Sequence, residues 1–246
     1  LKILLCDIET GPATAFVWGL FDQNISIDKI IDTSKVICWS ARWHGETKMM
    51  SSGSKTDGHR TMIRSMHALM SEADAVVTYN GNRFDLPVLN REFLMAGMKP
   101  PAPYKSIDLY QTVKRKFRFL SGKLDFVSQQ LGLGNKVRHA GFEMWVKAMA
   151  GDEAALRAMK RYNVQDVVLL EKLYDRMLPW IANHPNAGAY DDRDACPHCG
   201  EEKLQKRGVQ VTRDTKYVRY QCGACGAWSR GKKAVSGTKT TVQGVS

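Results

Sequence analysis

The 246-residue chain holds no run of eighteen apolar residues, so no segment is long enough to cross a bilayer as a helix. Its first residues lack the basic flank, apolar stretch and small-residue cleavage site of a secretory signal. The expectation is a protein of the cytoplasm with no membrane partner. No internal repeat is visible. Cysteine is sparse at six residues, and acidic residues are in deficit, 25 against 36 Lys and Arg. A chain without a secretory signal argues against reading those cysteines as disulfides.

With 43% hydrophobic residues, the length suffices for one substantial domain and a small appendage. The net charge of +11 is unevenly spread. Residues 196–246 carry ten Lys and Arg against three Asp and Glu, whereas residues 1–195 are close to balanced. A basic end beside a balanced domain suits a polyanionic partner, because Lys and Arg displace counterions from phosphates. The alternative is a solvated, solubilising tail.

Apolar runs at 2–6, 36–43 and 48–51 read as the first strands of a sheet. A helix is predicted over 60–71 from Met62, Met66, Leu69 and Met70, and a short buried strand over 75–79 ends in Asn80-Gly81-Asn82. Helices are predicted over 87–96, 124–131, 144–150 and from 153 to about 180, with a fifth strand at 106–109. The proline-bounded stretch from 179 to 185 closes the last helix.

Asp7 and Glu9 stand one residue apart at the end of an apolar strand, so they project on one face while Ile8 points into the core. Asp85 follows Phe84 at a strand-to-helix junction, where helix capping is the competing reading. Tyr162 and Asp166 lie one helical turn apart on a stripe continued by Leu169 and Leu173. An unpaired carboxylate at the edge of that buried stripe would be costly, which implies a metal or another cationic partner; the alternative is that Tyr162 packs and Asp166 points to solvent. Four carboxylates in one pocket would force each other to bind protons or cations, and oxygen donors suit Mg²⁺ or Mn²⁺.

The three acidic motifs, D-I-E-T, Asn80 to Asp85, and Tyr162-x-x-x-Asp166, occur in an order that resembles the DEDD family of 3′-to-5′ exonucleases. The tyrosine marks that family's DEDDy branch, which includes proofreading domains of DNA polymerases. The resemblance covers roughly residues 1–185. It implies an α/β fold, RNase H-like, with a mixed five-stranded sheet flanked by helices. Leu124 to Gly132 followed by Lys136 looks like the segment between the second and third motifs of family-B polymerase exonuclease domains. The whole chain is similar to stand-alone phage exonucleases, which would place it in the cytoplasm of a bacterial host.

That resemblance implies in-line hydrolysis with two Mg²⁺ or Mn²⁺ ions. Asp7, Glu9 and Asp166 would hold the first ion and Asp7 with Asp85 the second, while Tyr162 orients the attacking water. Thr10, Gly11, Asn80 and Phe84 are candidate substrate contacts. Phe16, Trp18 and Phe21 suit either base stacking, for which Trp18 is the candidate, or core packing. Neither His139 nor His184 stands four or five residues before Asp166, as a histidine-type site would need. Asp108 reads as a strand-end or capping residue, and the basic run of Lys114, Arg115, Lys116 and Arg118 as a phosphate grip or a solvated face.

Four cysteines fall as Cys196-Pro-His-Cys199 and Cys222-Gly-Ala-Cys225. Two C-x-x-C knuckles in a short basic segment fit one structural Zn²⁺ in a zinc ribbon, whose small core makes the metal a main source of folding free energy. Cys6 and Cys38 read as buried small hydrophobes. The ribbon's basic residues, among them Arg213 and Arg219, interleave with Tyr217, Tyr220 and Trp228, a pattern suited to a single nucleic-acid strand. Arg219 and Trp228 are its candidate contacts. The expected organisation is an exonuclease domain at 1–185, a linker at 186–195, the ribbon at 196–230 and a flexible basic tail at 231–246.

The leading expectation is therefore a stand-alone exonuclease on single-stranded DNA, or a proofreading subunit serving a DNA polymerase or replication protein in trans. An exoribonuclease of the same mechanism and a non-catalytic nucleic-acid-binding adaptor are the alternatives.

Overall fold

The computed structural model describes residues 1–137, 141–190, 192–212 and 215–235. His139, Arg213 and residues 236–246 of the expected tail lie outside the described residues. Among those described, no helix is long and apolar enough to cross a membrane. The chain divides into two compact units, Lys2–Tyr174 and Asp175–Ser246 with Leu1.

In chain order the elements of the larger unit begin with β1 (Ile3–Thr10), the two-residue β2 (Thr14–Ala15), β3 (Ile30–Asp32), β4 (Val36–Trp43) and β5 (Met50–Gly53). Next come α1 (His59–Glu72), β6 (Ala75–Thr78), α2 (Asp85–Met95), β7 (Lys105–Asp108), α3 (Leu109–Lys116), α4 (Leu124–Gln130), α5 (Phe142–Ala150) and the long α6 (Glu153–Met177). α7 (Ala187–Tyr190), β8 (Leu204–Val211), β9 (Lys216–Cys222) and β10 (Trp228–Ala234) follow. α3 is not anticipated from sequence, where its basic last turn hides the apolar face of Leu109 and Val113.

The main sheet is mixed and five-stranded, in the order β5-β4-β1-β6-β7. β1 occupies its centre, antiparallel to β4 and parallel to β6. A strand covered on both faces needs no alternation of apolar and polar residues, and Ile3 to Cys6 are all buried. Alternation resumes where the strand reaches the site. Leu4, Cys6 and Ile8 join the core formed with α1 and α2, while Ile37 of β4 packs on the other face with Met144, Ala148 and Met159 of α5 and α6.

Met62, Ile63, Met66 and Met70 are the buried stripe of α1, at the three- and four-residue spacing that puts side chains on one helix face. Trp39 seals this layer by donating its indole N–H to the Met62 carbonyl at 2.9 Å. Burial contributes about 1.5–3 kcal/mol per large side chain. Replacing the fully buried Met62 by Ala would cost about 2–5 kcal/mol through lost transfer energy and the cavity left behind.

In the smaller unit β8, β9 and β10 form a three-stranded antiparallel sheet with β9 in the middle. The expected flexible tail begins at residue 231; β10 runs on to Ala234, which pairs with Tyr217 after a register shift beyond Arg230. The expected linker contains the short α7.

Candidate active site and metal centres

β1 supplies the first two carboxylates. Asp7 and Glu9 leave the strand on the face opposite Ile8, and the register of β1 with β4 shifts between Glu9 and Thr10. Such an irregularity bends a strand and re-aims the side chains beside it.

The second motif follows β6, the parallel neighbour of β1. Asn80 has φ +64°, a left-handed conformation that Asn tolerates better than most residues. A Cβ on Gly81 would sit 2.2 Å from the Thr78 hydroxyl, so only glycine fits. Asp108 holds this turn: its carboxylate accepts the backbone N–H groups of Asn80 at 2.8 Å, Asn82 at 3.2 Å and Tyr110 at 3.0 Å. The last of these caps α3. Asp85 is the first residue of α2 rather than its cap, which is Phe84. Buried to 4% exposure, it accepts the Ile8 N–H at 3.3 Å, a contact that ties the second motif to the first.

Tyr162, Asn163 and Asp166 lie on α6. The Asp7, Glu9 and Asp166 carboxylates each offer an oxygen within 4.8 Å of the others. Lys136, from the chain between α4 and α5, reaches this group. Its ammonium donates to Asp166 Oδ2 at 2.5 Å and to the Tyr162 hydroxyl at 3.1 Å. Asn163 is fully buried and donates Nδ2–H to Asp7 Oδ2 at 2.7 Å. Beside these groups opens a cleft of about 600 Å³ lined by Asp7, Tyr79, Asn80, Tyr110 and Lys136 among others.

The electrostatics follow from that crowding. Desolvation, then the charges of Asp85, Glu9 and Asp166, hold the Asp7 carboxyl well above the usual carboxylate range, against the pull of Lys136. Glu9 is pushed up to about 8 by desolvation and by Asp166, with Lys136 and the hydrogen bond from Asn163 opposing. Desolvation raises Asp85 to about 6, although backbone N–H groups including that of Ile8 favour its charged form. The Tyr162 phenol is also raised, by desolvation and by Asp166. One ammonium cannot neutralise four carboxylates, so the cluster is short of positive charge.

The donors fit a divalent cation. Three carboxylate oxygens converge, and Asp166 Oδ1 is buried without a hydrogen-bond partner, leaving a lone pair that a hard cation would satisfy.

Cys196, Cys199, Cys222 and Cys225 form a second metal-ligand group. The Sγ atoms of Cys196 and Cys225, and of Cys199 and Cys222, are 3.6 Å apart, far beyond a disulfide bond. A tetrahedral ion with Zn–S near 2.3 Å sets sulfurs about 3.8 Å apart. Burial pushes the Cys222 thiol up, but the N–H groups of Cys225 and Ala224 outweigh it and bring the group down to about 7. Cys222 is thus the thiol that most readily becomes thiolate, whereas burial holds those of Cys199 and Cys225 above the ordinary range. His198 is turned away, its Nε2 paired with the Ile181 carbonyl at 3.2 Å. The smaller unit is thus a four-cysteine, zinc-ribbon-like module.

The remaining expected residues fall in several places. Thr10 sits at the register break, partly exposed. Gly11 is buried, and the space where its Cβ would lie is taken by Met149 Sδ at 3.1 Å. Phe84 is 45% exposed. Core packing is overturned for Phe16, Trp18 and Phe21, which are 71%, 94% and 84% exposed; β2 and β3 bring too little apolar surface to cover them. Trp228 is half-exposed, and Arg219 stacks on its ring at 4.7 Å. Sequence reading missed Asn163, whose position beside Tyr162 carries no signal without the fold. Lys136 was noticed only as part of a resemblance.

Residues 32–178 match the family RNase_H_2, of the RNase_H superfamily; the match begins beyond Asp7 and Glu9. The chain is 28% identical over 132 residues to DNA polymerase 1 of Aeropyrum pernix, covering 48% of this chain and 14% of that one. Its fold is similar to that of the family B DNA polymerase from Pyrobaculum calidifontis, with a TM-score of 0.57 at 20% identity. That likeness covers 73% of this chain and 25% of the polymerase. The chain therefore spans a quarter or less of these relatives. With its mixed five-stranded sheet and a family match extending over more than half its length, the chain belongs to the RNase H superfamily.

Proposed function

We propose that the protein is a 3′-to-5′ exonuclease acting on single-stranded DNA. The observation that carries this reading is the convergence of the Asp7, Glu9 and Asp166 carboxylates, with Asp85 tied to the backbone beside Asp7 and Tyr162 joined to Asp166 through Lys136. Asp7, Glu9 and Asp166 would hold one Mg²⁺ or Mn²⁺, and Asp7 with Asp85 a second. When bound, such ions activate water and stabilise charge on the phosphate and the leaving oxygen.

The chain's own residues do the positioning. Asn163 orients Asp7, and the Ile8 N–H fixes Asp85. Tyr162, with its phenol raised above an already high value, stays protonated and orients water by hydrogen bonding rather than removing a proton. Lys136 holds Tyr162 and Asp166 together. Asn80, at the cleft, and Phe84, at the head of α2, would contact the terminal nucleotide, and the exposed Trp18 would stack on a base. The smaller unit would carry one structural Zn²⁺, and its Arg219 and Trp228 would bind the strand. A DNA polymerase or replication protein is the proposed setting.

A time course on 3′-labelled and 5′-labelled single-stranded DNA and RNA, with and without Mg²⁺ or Mn²⁺, tests the proposal. Label released first from the 3′ end of DNA by the wild type, and lost in Asp7→Ala, is the expected result. Release from the 5′ end reverses the polarity, preference for RNA changes the substrate, and equal activity of Asp7→Ala removes the site. Strand binding with no cleavage under any ion would leave a non-catalytic adaptor.

A further inference from the structure

The ribbon sheet carries two arginines in an arrangement that calls for an anion. Arg219 of β9 and Arg230 of β10 are direct cross-strand partners, and like charges directly opposite one another in an antiparallel pair destabilise it. Neither makes an ion pair among the described residues, and both are exposed. Arg219 donates its Nε–H to the Arg207 carbonyl at 3.0 Å, which leaves its charge unneutralised, and both guanidinium groups rest on aromatic rings. The Arg219 guanidinium lies over Trp228 at 4.7 Å and that of Arg230 over Tyr217 at 4.1 Å, each the diagonal neighbour that cross-strand geometry brings within reach.

Register shows that these four side chains share one face. Residues opposite one another project to the same side, and alternation along β9 puts Tyr217, Arg219 and Gln221 together, with Tyr220 and Cys222 on the reverse. Trp228 faces Gln221, and β8 adds Gln205 opposite Gln221 and Gln210 opposite Tyr217. Arg207, in the bulge opposite Arg219, donates to the Gln205 side chain at 2.6 Å. The face carries arginines, aromatic rings and glutamines, and no acidic residue among those described.

We propose that this face is a sequence-tolerant binding site for single-stranded nucleic acid. Arg219 and Arg230 share the strand's phosphates, which removes their mutual repulsion, and the Trp228 and Tyr217 rings stack on unpaired bases. The inference deepens the reading of the protein as a nucleic-acid enzyme and rests on it for the nature of the polyanion, but its chemistry is separate from the carboxylate site. A face for a protein partner is the reading it competes with.

The test uses the full-length, zinc-loaded Asp7→Ala protein and fluorescence anisotropy with an oligothymidylate and an abasic oligomer of equal charge. Arg219→Gln with Arg230→Gln should weaken oligothymidylate binding about tenfold or more, and should lower the slope of log K against log salt by about 1.4. Trp228→Ala should weaken oligothymidylate binding about tenfold and leave the abasic oligomer unaffected. Zinc content equal to the parent's shows that each variant is folded. Unchanged affinity in the zinc-replete double variant overturns the proposal, as does wild-type binding of the abasic oligomer as tight as that of oligothymidylate.

Hydrolysis of the p-nitrophenyl ester of thymidine 5′-monophosphate separates the two sites, because so small a substrate does not need the ribbon. With Asp7 intact, wild-type hydrolysis of this ester reads the carboxylate site by itself, and oligothymidylate binding reads the ribbon face. No hydrolysis by the wild type, with binding still dependent on the arginines, refutes the nuclease reading and keeps the face. Hydrolysis with binding indifferent to the arginines does the reverse.

Discussion

Lys136 and Asp166 meet at 2.5 Å, and the same ammonium also holds the Tyr162 hydroxyl. A cation drawn from thirty residues upstream thus sits among carboxylates that lack enough positive charge. Buried charges persist when paired, and Asp166 is only 3% exposed.

Lys136→Met should accordingly destabilise the protein, by about 1–3 kcal/mol, when no divalent ion is added. Added Mg²⁺ or Mn²⁺ should recover most of that loss by supplying the missing positive charge. Thermal unfolding with and without the ion measures both. An equal loss in both conditions would show that the lysine is not balancing the cluster's charge.

Stability should depend on pH in a direction opposite to that of an ordinary surface carboxylate. Glu9 stands at about 8 against an ordinary 4.5, and Asp7 is raised as well, so the folded state binds these protons more tightly than the unfolded one. Their contribution is complete below the unfolded value and is lost as pH rises through the folded one. Without added divalent ion, the urea midpoint should fall between about pH 5 and pH 8.5. With Mn²⁺ the fall should flatten, because the cation replaces the protons, and calorimetry should record proton release on binding. A midpoint that rises across this range would contradict the assignment.

Asn163→Ala removes the donor that aims Asp7. Groups that orient metal ligands typically carry a 10- to 100-fold effect on affinity or activity, and a loss of about that size is expected in Mn²⁺ affinity and kcat. Titration calorimetry and steady-state kinetics would read it. Asn163→Asp should do more harm, adding a further carboxylate beside Asp7.

Tyr162→Phe should reduce kcat about a hundredfold with little change in Mn²⁺ affinity, since the ring is retained and only the water-orienting hydroxyl goes. A parallel loss of metal affinity would mean that the hydroxyl acts mainly by holding Lys136 on Asp166.

Cys222→Ser should abolish stoichiometric zinc and expose residues 196–235 to proteolysis, because the buried cluster of the ribbon is little more than Cys196, Cys222 and Ala227. Hydrolysis of the mononucleotide ester should persist. Retention of zinc would reject four-thiolate ligation.

Much of the frame was legible beforehand. The runs at 36–43 and 60–71 correspond to β4 and α1 because unbroken apolar strands and three-four spacing are local signals. α3 was not legible, since its charged last turn masks a short apolar face. Nor was the exposure of Phe16, Trp18 and Phe21, because hydrophobicity alone does not reveal whether anything packs against a residue.

What the sequence determined by itself is the chemistry of the ligands: carboxylates spaced to share a strand face, a tyrosine one helical turn from an aspartate, and thiols in pairs. These are matters of backbone period over a few residues. The tertiary structure decided what stands among them. Asn163 reaches Asp7 across 156 positions, and Asp108 clamps a turn 28 residues earlier. The opposition of Arg219 and Arg230 depends on a strand register that a slip of one residue would undo. Such partners come from chain topology and pairing, which no local pattern encodes.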